Sequence, residues 1–263
     1  MARNLWTYEE MVLVLALYHQ LPFGKLDQDT KDVKELGAFI REHINAGRSN
    51  GAVAYRLTNY ASCDPYIINS GRKGMPNGKK ICQPYWDKYE NDKEALFMEA
   101  DRIKSQYTTE TEVEEIQGIT TDKLVGLTKE AVVKIRVNQG VFRKMILNNY
   151  DNKCAITGIA DSRFLIASHI IPWAENEEHR LNPENGICLS PLYDKAFDKG
   201  LISVRADDYT IILSKELKEQ AGTDYYQKYF LPIENLQISL PLDHNPSSEC
   251  LQYHYDKIFA KHN

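Results

Sequence analysis

Asp194 and Asp198 stand four residues apart in "SPLYDKAFDKG", and His169 stands alone in "ASHIIPW". Carboxylates at i and i+4 of a helix share one face, where they repel each other unless a cation or a basic partner lies beside them. Lys195 and Lys199 fall on a different face. A carboxylate pair is a hard-oxygen donor set for a divalent cation, and a neutral imidazole nearby can take a proton from water. Taken singly, each feature has an ordinary explanation. Two aspartates describe a solvated acidic face, and a lone histidine on an apolar strand describes a hydrogen-bonded core residue. Their order along the chain joins them.

The elements that would position these residues can be read locally. Ser190 and Pro191 mark a helix start, an N-cap side chain followed by a residue whose missing N–H costs nothing at the first helical position. Gly200 is the matching stop. "RFLIASHIIP" and "GICLS" are rich in apolar residues and predict strands, with the polar loop "PWAENEEHRLNPEN" between them. The order is a strand with His169, a loop, Asn185-Gly186, a second strand, and a short helix with Asp-x-x-x-Asp. Upstream, "AVVKIRVNQGVFRKMILNNYDNKCAITG" predicts a helix that turns at Asp151-Asn152 into a short strand. Downstream, "LISVRADDYTIILS" predicts a hairpin turning at Ala206 to Asp208. A helix over "SSECLQYHYDKIFAK", capped by Ser247 or Ser248, closes the chain.

The first half differs in character. Residues 5 to 60 predict helices: one capped by Thr7 with an apolar face of Met11, Leu15 and Tyr18, a second over "DTKDVKELGAFIREHI", and a third capped by Ser49 or Asn50. "GRKGMPNGKK" reads as a loop and "QPYWDKYENDKEALFMEADRIKSQY" as one longer helix. The acidic stretch that follows, with "TTETEVEEIQG", is a candidate linker. The expected fold class is α+β, with a helical, helix-turn-helix-like domain at 1–105, a linker at 106–130 and a second domain at 131–263.

With 43% hydrophobic residues in 263, the composition is that of a globular chain. Five cysteines, odd in number and in no C-x-x-C pair, suit reduced thiols in the cytoplasm and argue against a structural zinc. No membrane span and no secretory leader are expected. The net charge of −5 argues weakly against a nucleic-acid partner, but its distribution argues for one. Ile67 to Trp86 holds Arg72, Lys73, Lys79 and Lys80 and no acid. Ala131 to Asn149 holds Lys134, Arg136, Arg143 and Lys144 and no acid.

Residues 136 to 203 resemble the HNH (ββα-metal) endonucleases, most closely a bacterial restriction-type branch, through "ASHIIPW", Arg180, "NPENGICL" and "DKAFDKGLI". The resemblance implies that His169 is the general base and that Asn185 holds the loop and orients it. It implies Asp194 and Asp198 as metal ligands, with Ser168 at a position where many members carry an acidic residue or histidine. Carboxylate ligands imply Mg²⁺ or Mn²⁺. Where many members hold a zinc with two C-x-x-C pairs, this chain keeps only Cys154, so a core of Ile156, Phe164, Cys188 and Leu192 is expected instead. Arg180 is a candidate phosphate clamp or, equally, a partner for a loop glutamate. Arg136, Asn138, Gln139 and Arg143 form a polar cluster that suits phosphate contact or a solvated helix face.

"WTYEE" with "GRSNGAVAYRL" is similar to Myb/SANT-like three-helix domains. That likeness implies a recognition helix with Arg48, Ser49, Asn50, Tyr55, Arg56 and Asn59 near DNA, and the loop cations Arg72, Lys73, Lys79 and Lys80 on phosphates. A plain helical bundle is the alternative. A pocket for a flipped base among Tyr55, Tyr60, Tyr66 and Trp86 is a further expectation. The expected whole is a metal-dependent endonuclease acting on double-stranded DNA in restriction or phage defence, as a homodimer, with no membrane and no small-molecule cofactor. The alternatives are a DNA-binding regulator with an inactive HNH fold, or a nuclease for RNA or structured DNA.

Overall fold

The computed structural model describes residues 5–107, 128–177 and 179–262. It divides into two compact units, Met1–Val141 and Phe142–Asn263. The expected linker lies for the most part outside the described residues. Among the described residues, no helix is long and apolar enough to cross a membrane.

In the first unit, α1 (Tyr8–Tyr18) opens with a capping box in which Thr7 and Glu10 satisfy each other's backbone N–H. Every residue from Glu10 to Tyr18 is buried. The helix is therefore a hub rather than one apolar face. Around it pack α2 (Lys31–His43), α3 (Asn50–Ala61, capped by Ser49), α5 (Lys79–Tyr89) and α6 (Lys93–Ser105). The short α4 (Pro65–Asn69) follows α3. The single long helix expected over 83–107 is two helices. Asp92 accepts from the Ala95 N–H at 2.9 Å and so starts α6 afresh.

Helix α7 (Lys129–Asn149) runs through the division between the units. Its residues up to 141 belong to the first unit, although the sequence assigned them from 131 onward to the second domain. Lys134 and Asn138 bind Glu94, and Arg136 pairs with Asp101, both on α6.

The second unit begins on the last two turns of α7. Asp151 and Asn152 take φ of 52° and 54°, the left-handed turn expected of that pair. The short strand expected next is absent; Ala155 to Thr157 form a turn, and the Cys154 sulfur accepts from the N–H of Thr157 and of Ser190. β1 (Ile166–His169) and β2 (Gly186–Leu189) pair antiparallel, from Ile166 opposite Leu189 to His169 opposite Gly186. α8 (Pro191–Asp198) follows, with Ser190 at its N-cap position but its side chain making no capping hydrogen bond of the kind expected of it; the helix ends before Gly200 at φ 66° and packs on β1. β3 (Ile202–Val204) and β4 (Ile211–Leu213) form the expected hairpin. After α9 (Lys215–Lys218), α10 (Ser248–Lys257, capped by Ser247) packs on β3. The core holds Ile146, Tyr150, Leu165, Ile187, Cys188 and Phe197. Of the expected zinc substitutes, Cys188 is buried and Ile156 half-buried. Phe164 and Leu192 are 53% and 44% exposed, one on a 3-10 turn and the other on the outer side of the first turn of α8.

Candidate active site

His169 ends β1 with its imidazole stacked on Phe142, centroids 3.6 Å apart and planes 13° from parallel. Trp173 meets its edge at 5.4 Å. The ring Nε2 lies 3.2 Å from the backbone carbonyl of Arg180. A carbonyl only accepts, so Nε2 carries the hydrogen and Nδ1 keeps its lone pair. Among the described residues Nδ1 makes no hydrogen bond, and it is not among the unpartnered atoms sealed from solvent. Burial pushes the pKa down to about 4, against a small rise from the Arg180 carbonyl, so the ring is neutral at ordinary pH. A neutral ring with one fixed nitrogen and one open nitrogen can act as a base.

Asn185, 1% exposed, binds both ends of the loop between the strands. Its Oδ1 accepts from the Ile171 N–H at 2.8 Å, and its Nδ2 donates to the carbonyls of Ile171 and His179. Its backbone carbonyl accepts from the Ile170 N–H. These bonds fix the residues just after His169 and just before Arg180, whose carbonyl holds the ring.

α8, packed on β1, carries Asp194 and Asp198. Burial pushes the Asp194 pKa up to about 6, helped by repulsion from Asp198, while Ser168 and Lys195 pull it down. Asp198 is also raised, by burial, against the pull of Lys195 and Lys199. Neither carboxylate has an ion-pair partner among the described residues. Ser168, 2% exposed, turns its Oγ toward Asp194, near enough to favour the carboxylate but beyond ordinary hydrogen-bond distance of any group among the described residues. No group of three or more His, Cys, Asp or Glu side chains converges among the described residues. Two carboxylates and a hydroxyl are an incomplete oxygen set. That set fits Mg²⁺ or Mn²⁺, which keep water and substrate oxygens in their coordination shell.

The other expected contacts mostly have internal partners. The Arg180 guanidinium donates to the Trp173 carbonyl, pairs with Glu177 at 3.1 Å and lies over the Trp173 ring. Arg143 donates to the carbonyls of Leu165 and Ser162, bracing the entry to β1. Asn138 is buried against Glu94, and Arg136 faces Asp101. Gln139 has a buried Oε1 without a partner. The expected phosphate-facing cluster is thus divided among inward contacts, since long-range partners decide which way each side chain points.

The same correction applies in the first unit. Arg48 grips the buried Glu10 with bonds of 2.7 and 3.0 Å and lies 3.9 Å over Trp6. Arg56 lies over the same ring, 4.7 Å from the Trp6 centroid, and reaches the Cys82 sulfur. Asn59 is fully buried and donates to the Met75 carbonyl. The Asn50 Oδ1 accepts from Arg41. Tyr60 and Trp86 are core residues, leaving only Tyr55 and Tyr66 exposed among the four expected to line a base pocket. Of the eight first-unit candidates, Lys73 and Lys80 are exposed, and Arg72 and Lys79 half-buried.

Two residues escaped the sequence. Phe142 gives no signal beyond one aromatic on a mixed helix. Gly186, opposite His169, lets α7 approach: a Cβ there would meet Ile146 at 2.3 Å and Phe142 at 2.8 Å. The Asn-Gly pair was the available clue, because a glycine at a strand start marks close backbone approach.

No curated protein matches the chain. Residues 154–205 match the family model described as HNH endonuclease, a span that holds His169, Asn185, Asp194 and Asp198.

Proposed function

We propose that the chain is a metal-dependent DNA endonuclease that hydrolyses phosphodiester bonds at the end of β1. The observation that carries this reading is the open Nδ1 of a neutral His169 whose other nitrogen is fixed by Arg180. His169 would take a proton from water at Nδ1, a contribution of about 10²–10⁴-fold. Asn185 would hold the ring's carbonyl anchor in place through the loop. Asp194, Asp198 and the Ser168 hydroxyl would hold one Mg²⁺ or Mn²⁺, which supplies charge stabilisation at the scissile phosphate and leaving oxygen. Ser168 and His169 are chain neighbours, so the two groups share one strand end. Because these contacts address the backbone of a nucleic acid, RNA or structured DNA would satisfy the same chemistry.

Restriction or phage defence is the setting proposed from the likeness to restriction-type members. Cutting both strands needs two such sites, hence a homodimer or two successive nicks. A second reading is a DNA-binding regulator with an inactive HNH fold, favoured by the neutral Ser168 in the donor set. The experiment is cleavage of supercoiled plasmid, methylated and unmethylated, in Mg²⁺, Mn²⁺ or EDTA. The nuclease reading expects nicking or linearisation with metal and none in EDTA. An inert protein that still retards DNA in a gel would leave the regulator.

A further inference from the structure

With Arg56 and Asn59 of α3 turned inward, and Arg48 just before it bound to Glu10, few side chains there remain to read bases. The loop from Arg72 to Lys80 has the opposite character. It is nailed to the C-terminal half of α3: the Met75 N–H donates to the Thr58 carbonyl at 2.9 Å, and Asn59 donates back to the Met75 carbonyl. Gly74 presses so closely that a Cβ would meet the Ser62 nitrogen at 2.3 Å and the Thr58 oxygen at 2.6 Å. Arg72 is set over the rings of Phe23 and Tyr66. A loop held this way presents Lys73 and Lys80 from a fixed backbone, beside the exposed Tyr66 and Met75.

The charge is one-sided. No acidic residue occurs from Pro65 to Trp86, although acids outnumber bases in the chain as a whole. Lys79 and Lys80 also occupy the first turn of α5, which holds no acidic residue and no side-chain cap. Cations at the positive end of a helix dipole are unfavourable alone and become favourable beside an anion.

We infer that this loop surface grips the sugar–phosphate backbone of DNA, and that the first unit adds affinity by charge rather than reading sequence through α3. The inference takes its substrate from the nuclease reading above. Phosphates are the partner that the one-sided charge fits. Contacts to phosphate carry no base information and are strongly salt-dependent, with a log–log slope of about −0.9 per phosphate neutralised.

The test is fluorescence anisotropy of the full chain with short duplexes of several unrelated sequences, in EDTA, between about 50 and 200 mM salt. Lys73→Ala/Lys80→Ala should weaken binding by about tenfold on every duplex and reduce the salt slope by about 2. Lys73→Arg/Lys80→Arg should bind as the parent does, which separates lost charge from misfolding. Unchanged affinity in the alanine variant, or a loss confined to one sequence, overturns the inference. So does capture of an acidic polypeptide in preference to DNA, which would mark a protein-docking face. Parallel plasmid cleavage keeps the two readings apart. A parent that cleaves while the alanine variant binds normally defeats only the loop surface. A parent that binds through the loop but never cleaves defeats only the nuclease.

Discussion

Two histidines in the second unit sit in nearly the same setting. His169 stacks on Phe142 and His254 on Phe197, each at 3.6 Å. Each gives its Nε2 to a backbone carbonyl, of Arg180 or of Phe197. Burial pushes each pKa down to about 4. One atom separates them: the Nδ1 of His254 lies 2.8 Å from the Ser203 hydroxyl, whereas the Nδ1 of His169 has no partner among the described residues. His254 is thus a satisfied core residue with both nitrogens used. His169 is the same residue with one nitrogen left available. Burial and a shifted pKa do not distinguish a base from a brick; the hydrogen-bond inventory does.

Exchanging roles should fail in opposite directions. His169→Ala should lower the single-turnover cleavage rate about 10²–10⁴-fold. His254→Ala should leave that rate near the parent's at temperatures where it is folded, while costing about 2–4 kcal/mol in denaturant unfolding from the cavity and the orphaned Ser203. Next in size is the loop: Asn185→Ala orphans the Ile171 N–H and two carbonyls, and a cost of about 1–3 kcal/mol in holding the loop should appear as a rate roughly 10–100-fold lower.

Acid sharpens the comparison on stability. A buried histidine with a pKa near 4 binds fewer protons folded than unfolded between pH 6.5 and 4. Its stabilisation is complete above pH 6.5 and is lost as pH falls through that window, on the order of 3 kcal/mol. Unfolding midpoints of His254→Gln should therefore be flatter across this range than the parent's. Phe142→Leu removes only the stacking surface of His169 and should cost about 3–10-fold in rate. Smallest is the serine pair. Ser203→Ala should destabilise by about 1 kcal/mol by leaving His254 Nδ1 unpaired, whereas Ser168→Ala removes a hydroxyl that makes no hydrogen bond of ordinary length and should change stability by less than about 0.5 kcal/mol.

What could be read from the sequence was what local chemistry decides. Thr7 and Ser49 cap helices, Asp151-Asn152 turns the chain, and Ser190-Pro191 to Gly200 bounds α8, because each depends on neighbours a few residues away. The break at Asp92 was local too, but an aspartate serves equally on a helix surface and as a cap. The inward turn of Arg48 and Arg56 was not readable: it depends on Glu10, Trp6 and Cys82, at least twenty residues distant. The same holds within the candidate site. His169, Asn185 and the aspartates stood out by order and spacing, while Phe142, Gly186 and the Arg180 carbonyl are supplied by packing. Ser203 is the clearest example, an unremarked serine on a strand that decides the chemistry of His254.

The central claim is that the open Nδ1 of His169 is the reacting group. Its most direct test is imidazole rescue of His169→Gly in metal-dependent DNA cleavage, with His254→Gly run in parallel. The account predicts that His169→Gly is nearly inactive, that free imidazole restores cleavage in a saturable way, and that His254→Gly cleaves without imidazole and gains nothing from it. Cleavage by His169→Gly at the parent's rate without imidazole, or rescue confined to His254→Gly, would contradict it.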